Sequence, residues 1–181
     1  GRYYNMFELI DCEFEKEMND AVCYVAKKMS ETGHNSKPVL LHSFKVAMTL
    51  YQYNYSKKII ISAILHDLIE DTDVKYDDIR RDFSKEVADI VKSVSFDPTI
   101  KDKLKQAKEL FNNCIKFGYE ALIVKCADLV DNINYVNLVD NCEVREKLWK
   151  KYKMFLEMTN PLIKDEIIYK LLEKKYNQKN K

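Results

Sequence analysis

The sequence predicts an all-α protein, a bundle of about eight to ten helices. Glycine and proline, which tight turns use most, occur only three times each, whereas a protein of many short strands needs many turns. Apolar residues recur at helical spacing through most of the chain. A length of 181 residues suits one domain with a hydrophobic core, so residues 1–181 are expected to form a single domain.

The first half of the chain predicts three long helices. Helical spacing of apolar residues predicts the first over 6–29, followed by a loop over 30–38. Pro38 is well placed at the start of a second helix that reaches about residue 53. Ser56 is the expected N-cap of a third helix over 57–71. This helix is apolar on nearly all sides, which predicts that it lies at the centre of the bundle.

The second half predicts shorter helices and then longer ones. Short helices are expected over 76–82 and 84–95, with Ser84 as an N-cap, and a loop over 96–101. A charged amphipathic helix over 102–117 is expected to end at Gly118, before a mostly apolar stretch over 119–138. Helices over 143–158 and 161–176 complete the prediction, with a frayed tail after them.

Charge and cysteine content exclude several classes of function. The net charge is +1, so no overall field favours nucleic acid or a membrane surface. No apolar run approaches about 18 residues and no basic-then-apolar leader opens the sequence, so neither a transmembrane helix nor a targeting segment is expected. Five cysteines without a CxxC motif fit a reducing cytoplasm, with Cys23 and Cys126 expected in the core.

A metal site is the most specific functional prediction. The stretch ILHDLIEDT over 64–72 places four ionisable side chains within an apolar segment, where burial is costly without compensation. Taken alone, a histidine on an apolar helix is more often a hydrogen-bonded core residue, and an acidic pair at a helix end is often solvated. Other helices add a second imidazole and another carboxylate, and such a set suits Mn, Fe, Zn or Mg. The candidate ligands are His42, His66, Asp67 and Asp128.

The order of these residues resembles the H…HD…D pattern of the HD-domain metal-dependent phosphohydrolases. HDLIEDT is similar to the HDxxEDT of the hydrolase domain of RelA/SpoT-type (p)ppGpp enzymes and their small stand-alone relatives. VKCADLVDNI, residues 124–133, resembles the K-L-A-D-R-L-x-N helix of that branch. KPVLLHSFKVA, residues 37–47, resembles its E-P-Y-I-x-H-P-x-x-V-A segment. The resemblance implies an HD-domain helical bundle.

The resemblance also implies roles for individual residues. The four candidate ligands would hold Mn²⁺, and Glu70 with Asp71 would position and activate the attacking water. On a helix this pair lies one turn beyond His66 and Asp67, next to the proposed metal. The candidate substrate-binding residues are Asn132, near the nucleotide sugar or phosphate, Lys125, for a phosphate, and His34.

Two departures from the family pattern concern recognition of the base. The branch carries an arginine that packs against guanine before the first metal histidine, where this chain has Gly33 and His34. His34 is therefore a candidate for stacking on a base, and an exposed loop histidine is the alternative. Leu129 and Asp131 replace the basic or aromatic residues usual after the metal aspartate.

The expected function is a metal-dependent pyrophosphohydrolase acting on a small phosphorylated nucleotide. Removal of the 3′-pyrophosphate of (p)ppGpp or a related nucleotide is the nearest named reaction, and no part of the chain is left for a synthetase domain. The alternatives are another HD phosphohydrolase, such as a 5′-nucleotidase, and a catalytically silent nucleotide-binding module. Mn²⁺ is the metal that the resemblance implies, with Fe, Zn and Mg as alternatives.

Overall fold

The computed structural model describes residues 11–34 and 38–178, and within them it is helical with no strand. The predicted start of the first helix, the centre of the loop that follows it and the end of the tail lie outside the described residues. The helices in chain order are α1 Cys12–Thr32, α2 Val39–Gln52, α3 Lys57–Leu65, α4 Leu68–Asp71, α5 Tyr76–Asp82, α6 Lys85–Ser93, α7 Lys103–Phe117, α8 Tyr119–Asn132, a 3₁₀ helix Ile133–Leu138, α9 Cys142–Ile163 and α10 Ile167–Asn177.

Side-chain caps fix where several helices begin. Ser56 accepts from the N–H of Ile59 at the start of α3, and Ser84 accepts from the N–H of Val87 at the start of α6. Each of these bonds satisfies a backbone donor that the first helical turn leaves without a partner. Both caps confirm the prediction from sequence. Gly118 ends α7 with a φ of 122°, a backbone conformation that side-chain-bearing residues rarely adopt.

Two central helices carry the core and the polar residues of interest. Every residue of α3 from Ile59 to Leu65 is buried, which confirms the prediction of a central helix. In α8 every residue from Ala121 to Asp131 is buried, including charged ones. The helix α3 packs against α1, α2, α6 and α8, and α2 also packs against α8. Polar groups at the meeting of α2, α3 and α8 are therefore shielded from water.

The third helix does not continue to residue 71 as predicted. It ends at Leu65, and a separate four-residue helix, α4, begins at Leu68. The His66 ring lies at the break, where its Nδ1 is 2.7 Å from the carbonyl oxygen of Ala63. In an uninterrupted helix that carbonyl would serve the N–H of Asp67. A side chain that competes for a backbone acceptor explains the interruption.

The boundary between the last two helices was also predicted wrongly. Pro161 was expected to start a helix, but it lies inside α9, which runs on to Ile163. The buried face of α9 continues past the proline through Phe155, Thr159 and Ile163, which are spaced four residues apart. Packing of this face offsets the one helical hydrogen bond that a proline cannot donate.

One of the two cysteines predicted in the core is exposed. Cys126 is buried as expected, but Cys23 lies on the outer face of α1. The buried residues of that helix are Phe14, Ala21 and Val25. Cys23 is two residues from both Ala21 and Val25, which places it on the opposite side of the helix. Among the described residues, no helix has the length and apolarity required to cross a membrane.

Candidate metal centre

Three separate helices bring nitrogen and oxygen donors to one buried point. His42 lies in α2, His66 follows α3, and Asp128 lies in α8. One donor atom from each of these residues lies within 4.8 Å of the other two. The Nε2 atom of His42 is 3.0 Å from Asp128 Oδ1 and 3.3 Å from His66 Nε2. Three of the four predicted ligands therefore converge although they lie far apart in sequence.

The fourth predicted ligand, Asp67, borders the same point. Its Oδ1 lies 3.2 Å from His66 Nε2, and its Oδ2 lies 3.7 Å from His42 Nε2. Asp67 caps α4 directly after His66, so the break between α3 and α4 places adjacent residues on the same centre. Its carboxylate is 5% exposed.

Hydrogen bonds on the far side of each imidazole orient its ring. His66 Nδ1 lies 2.7 Å from the Ala63 carbonyl oxygen, which can only accept a hydrogen bond. His42 Nδ1 lies 2.7 Å from Asp131 Oδ2, a carboxylate that also accepts. In a neutral ring, a proton on Nδ1 leaves Nε2 with the lone pair that can bind a metal. Both Nε2 atoms face the centre, the arrangement that metal-bound histidines commonly have.

Burial and charge shift the pKa values of the groups at the centre. Burial opposes the charged form of His66, but the Asp67 and Asp128 carboxylates outweigh it and raise its pKa to about 9. Burial also disfavours ionisation of Asp128, yet Lys125 and His42 hold its pKa well below the ordinary value. The carboxylates at the centre are thus compensated by nearby positive charge, and a divalent cation supplies compensation of the same kind.

Two predicted substrate-binding residues contact a predicted metal ligand. Lys125 Nζ donates to Asp128 Oδ2 at 2.9 Å, and Asn132 Nδ2 donates to Asp128 Oδ1 at 2.6 Å. Lys125 is 5% exposed, and Asn132 is half-buried. In this conformation both residues hold the Asp128 carboxylate in place, and their contact with a substrate stays a prediction.

The predicted catalytic pair lies on α4, beside the centre. The Oε1 atom of Glu70 accepts from the N–H of Phe96 at 2.8 Å. Burial raises the pKa of Glu70 to about 7, and the charge of Lys125 opposes that rise. Asp71 is buried one turn beyond Asp67, and its N–H donates to the Asp67 carbonyl at 2.9 Å. Glu70 is thus held by the loop after α6 and poised to gain or lose a proton near neutral pH.

His34 lies at the edge of this region, not within it. Its side chain is exposed, and its backbone N–H donates to the Asp71 carbonyl at 3.0 Å. The segment after α1 therefore borders α4, with the His34 ring in solvent. Stacking of this ring on a base stays a prediction.

The sequence interpretation missed two residues behind His42. It treated Asp131 only as a departure from the family pattern, yet this carboxylate contacts His42 Nδ1. Lys45 Nζ lies 2.8 Å from the other carboxylate oxygen, Asp131 Oδ1. The spacing of both residues could have indicated their position. Lys45 follows His42 by three residues, and Asp131 follows Asp128 by three, so each lies on the same helix face as the ligand that precedes it.

Residues 21–160 match the family model of the HD domain. Among curated proteins, a guanosine-3′,5′-bis(diphosphate) 3′-pyrophosphohydrolase of Aquifex aeolicus is 30% identical over 141 residues, which cover 77% of this chain and 19% of that protein. The 3′-pyrophosphohydrolase MESH1 of Drosophila melanogaster is 31% identical over 75 residues, which cover 41% of each chain. The chain therefore spans much less than two thirds of the length of either relative.

A solved structure has the same fold. It is that of a metazoan ortholog of SpoT described as hydrolysing ppGpp, and it matches with a TM-score of 0.77. The match covers 91% of this chain and 96% of the other at 20% identity. At that identity the likeness shows the shared fold.

Proposed function

The chain belongs to the HD domain family, and we propose that it is a metal-dependent nucleotide pyrophosphohydrolase that removes the 3′-pyrophosphate of (p)ppGpp or a related nucleotide. The observation that carries this proposal is the buried cluster of His42, His66 and Asp128 donor atoms within 4.8 Å of one another. The names of the Aquifex and Drosophila relatives supply the substrate class.

The donor set fits a divalent cation. His42, His66, Asp67 and Asp128 would hold it, and imidazole with carboxylate suits Mn²⁺, which we propose as the metal. Such a cation, when bound, neutralises charge on the phosphoryl group and makes water a better nucleophile at neutral pH. The two imidazoles are oriented through Nδ1, so the chain itself prepares Nε2 for binding.

Glu70 would accept the proton of the attacking water. A general base works best when its pKa lies near the operating pH, and burial raises the pKa of Glu70 to about 7. The N–H of Phe96 fixes the carboxylate through Oε1. Asp71, buried next to it in α4, would help to position that water.

A cavity lined in part by Phe96 is the proposed nucleotide site. It has a volume of about 400 Å³, lies between α7 and α9, and is bounded by Phe96, whose N–H holds Glu70. Leu104, Leu110 and Leu148 supply apolar wall for a base or sugar. Lys103 and Lys147 stand at its edge, where ammonium groups can bind phosphates. Lys125, Asn132 and His34 are not among the residues that line this cavity, and we keep them as candidates for contact with the part of the substrate nearest the metal.

A nucleotide panel tests this function. The purified chain is incubated with Mn²⁺ and ppGpp, GTP, GDP or a nucleoside 5′-monophosphate, and the phosphorus products are separated. The expected result is pyrophosphate and a nucleoside 5′-diphosphate from ppGpp, abolished by EDTA and by Asp67→Ala. The matched control is Asp77→Ala, which removes an exposed carboxylate on α5 and should leave the rate unchanged.

The same panel separates the alternatives. Orthophosphate from a monophosphate, with ppGpp intact, indicates a 5′-nucleotidase. Binding of nucleotides without turnover under any metal indicates a silent binding module. Either outcome contradicts the proposed reaction.

A further inference from the structure

Asp131 contacts a predicted metal ligand from behind. Its Oδ2 lies 2.7 Å from His42 Nδ1, and Lys45 Nζ lies 2.8 Å from its Oδ1. Lys45 also donates to the Tyr135 hydroxyl at 2.7 Å. Asp131 is buried, whereas Lys45 and Tyr135 are partly in solvent. A chain of polar contacts thus runs from the surface to the His42 ring.

The two imidazoles of the centre differ in what holds them. The neutral carbonyl of Ala63 holds His66, but the charged carboxylate of Asp131 holds His42. A carboxylate that accepts from Nδ1–H makes Nε2 more basic, and so a stronger metal ligand, than a carbonyl does. It also fixes the orientation of the ring more firmly. The His42 Nε2 atom is the one that lies within 3.3 Å of both His66 Nε2 and Asp128 Oδ1.

We propose that Asp131 is a positioning residue, which keeps the proton of His42 on Nδ1 and turns Nε2 toward the metal, and that Lys45 keeps Asp131 in place. Asp131 contacts His42 Nδ1, on the side of the ring away from the proposed metal, and Lys45 contacts Asp131. The inference rests on the proposed function, because it takes His42 as a ligand.

Lys45 has a defined part in this arrangement. Burying a carboxylate without compensation is costly, and Asp131 is 9% exposed. The ammonium group of Lys45 offsets its charge, and the hydrogen bond to Asp131 is the main cause of a raised pKa of Lys45. The ammonium group of Lys45 is therefore stabilised in its charged form beside Asp131.

Metal affinity is the first readout. Mn²⁺ binding to the folded full chain is measured by calorimetry for wild type, Asp131→Asn and Asp131→Ala. We expect Kd to rise about 10- to 100-fold in Asp131→Ala, as for other residues that orient a ligand. Asp131→Asn should lie between it and wild type, because the amide oxygen still accepts from Nδ1–H. Asp140→Asn removes an equal charge from an exposed site shortly after the 3₁₀ helix and should not change Kd.

The state of the His42 ring is the second readout, which a purely structural role would not change. The chain has only three histidines, so ¹⁵N ring spectra of the Zn²⁺-loaded protein can be assigned. We expect a slowly exchanging Nδ1–H signal from His42 that is lost in Asp131→Ala. The Nδ1–H signal of His66, held by Ala63, should persist in the same sample and serves as an internal control.

Each outcome decides. A Kd in Asp131→Ala that rises less than about tenfold overturns the inference alone, since residues that orient a metal ligand typically contribute about 10- to 100-fold to metal affinity. A weaker Kd with an unchanged His42 signal also overturns it, because the effect would then lie in charge and not in ring position. Absence of Mn²⁺ binding to the wild-type chain overturns the proposed function, and this inference with it. If Asp131→Ala fails to fold, Asp131→Leu, which is close to aspartate in shape but offers no acceptor to His42 Nδ1, decides by the same two readouts.

Discussion

Replacing Asp128 by asparagine should separate its structural role from its role as a ligand. Lys125 Nζ and Asp128 Oδ2 are 2.9 Å apart, and the two side chains are 6% and 8% exposed. Breaking a buried pair from one side leaves the other charge uncompensated, which typically costs about 3–5 kcal/mol. In the variant the Glu70 carboxylate still offsets part of the Lys125 charge. We therefore expect the free energy of unfolding of the metal-free protein to fall by about 3 kcal/mol, the lower end of that range.

The companion variant removes both charges. Lys125→Met combined with Asp128→Asn should recover the free energy of unfolding to within about 1 kcal/mol of wild type, because neither of the two charges remains buried alone. Glu70, which loses Lys125 in this variant, can give up its charge by binding a proton, since burial already raises its pKa to about 7. Mn²⁺ binding should stay lost, since the ligand is still missing. Urea unfolding in EDTA, followed by fluorescence of Trp149, the single tryptophan, measures stability, and calorimetry measures binding. A loss below about 1 kcal/mol in Asp128→Asn, or a double variant no more stable than the single one, refutes the reasoning.

Three further predictions follow from burial, charge and backbone conformation. Glu70→Gln should lower kcat about 10²- to 10⁴-fold and remove the acid limb of the pH profile. Only ionised Glu70 accepts a proton, so that limb should lie at or below the pKa of about 7 that burial gives this side chain. An equal loss of kcat in the exposed control Glu86→Gln would contradict the role of Glu70 as general base. In the folded chain, Ellman's reagent should react quickly with only the three exposed thiols of five, since burial raises the pKa of the Cys114 thiol to about 12; rapid reaction of a fourth would contradict the packing. Gly118→Ala should cost about 2 kcal/mol, because φ of 122° and ψ of −156° suit only glycine; an unchanged Tm would contradict this.

Local rules predicted most of the helices. The N-caps Ser56 and Ser84 and the C-cap Gly118 act through hydrogen bonds or backbone angles within one turn, so the sequence is sufficient to locate them. The two errors arise where another interaction outweighs the local rule. The His66 ring takes the Ala63 carbonyl at the end of α3, and the buried face of α9 carries the helix through Pro161.

The site, like the helices, could be predicted where local sequence was sufficient and could not where contacts between distant segments decide. The ligand types could be selected because imidazoles and carboxylates in apolar helices are costly without a metal or other partner. The contact of Asp131 with His42 could not be predicted from motif resemblance. It depends on how α2 packs against α8, which brings Asp131 Oδ2 to 2.7 Å from His42 Nδ1. The contact between Glu70 and the N–H of Phe96 likewise joins segments 26 residues apart, and no local pattern encodes it.

The position of the bound metal can be observed directly. A crystal of the wild-type chain soaked in Mn²⁺ gives an anomalous-scattering map that places the ion without reference to activity. We expect one strong peak among His42, His66, Asp67 and Asp128, next to their imidazole Nε2 and carboxylate oxygen atoms. The map of an Asp131→Ala crystal serves as a comparison for the orientation of His42. A peak at any other group of side chains, or no peak at saturating Mn²⁺, would contradict the account.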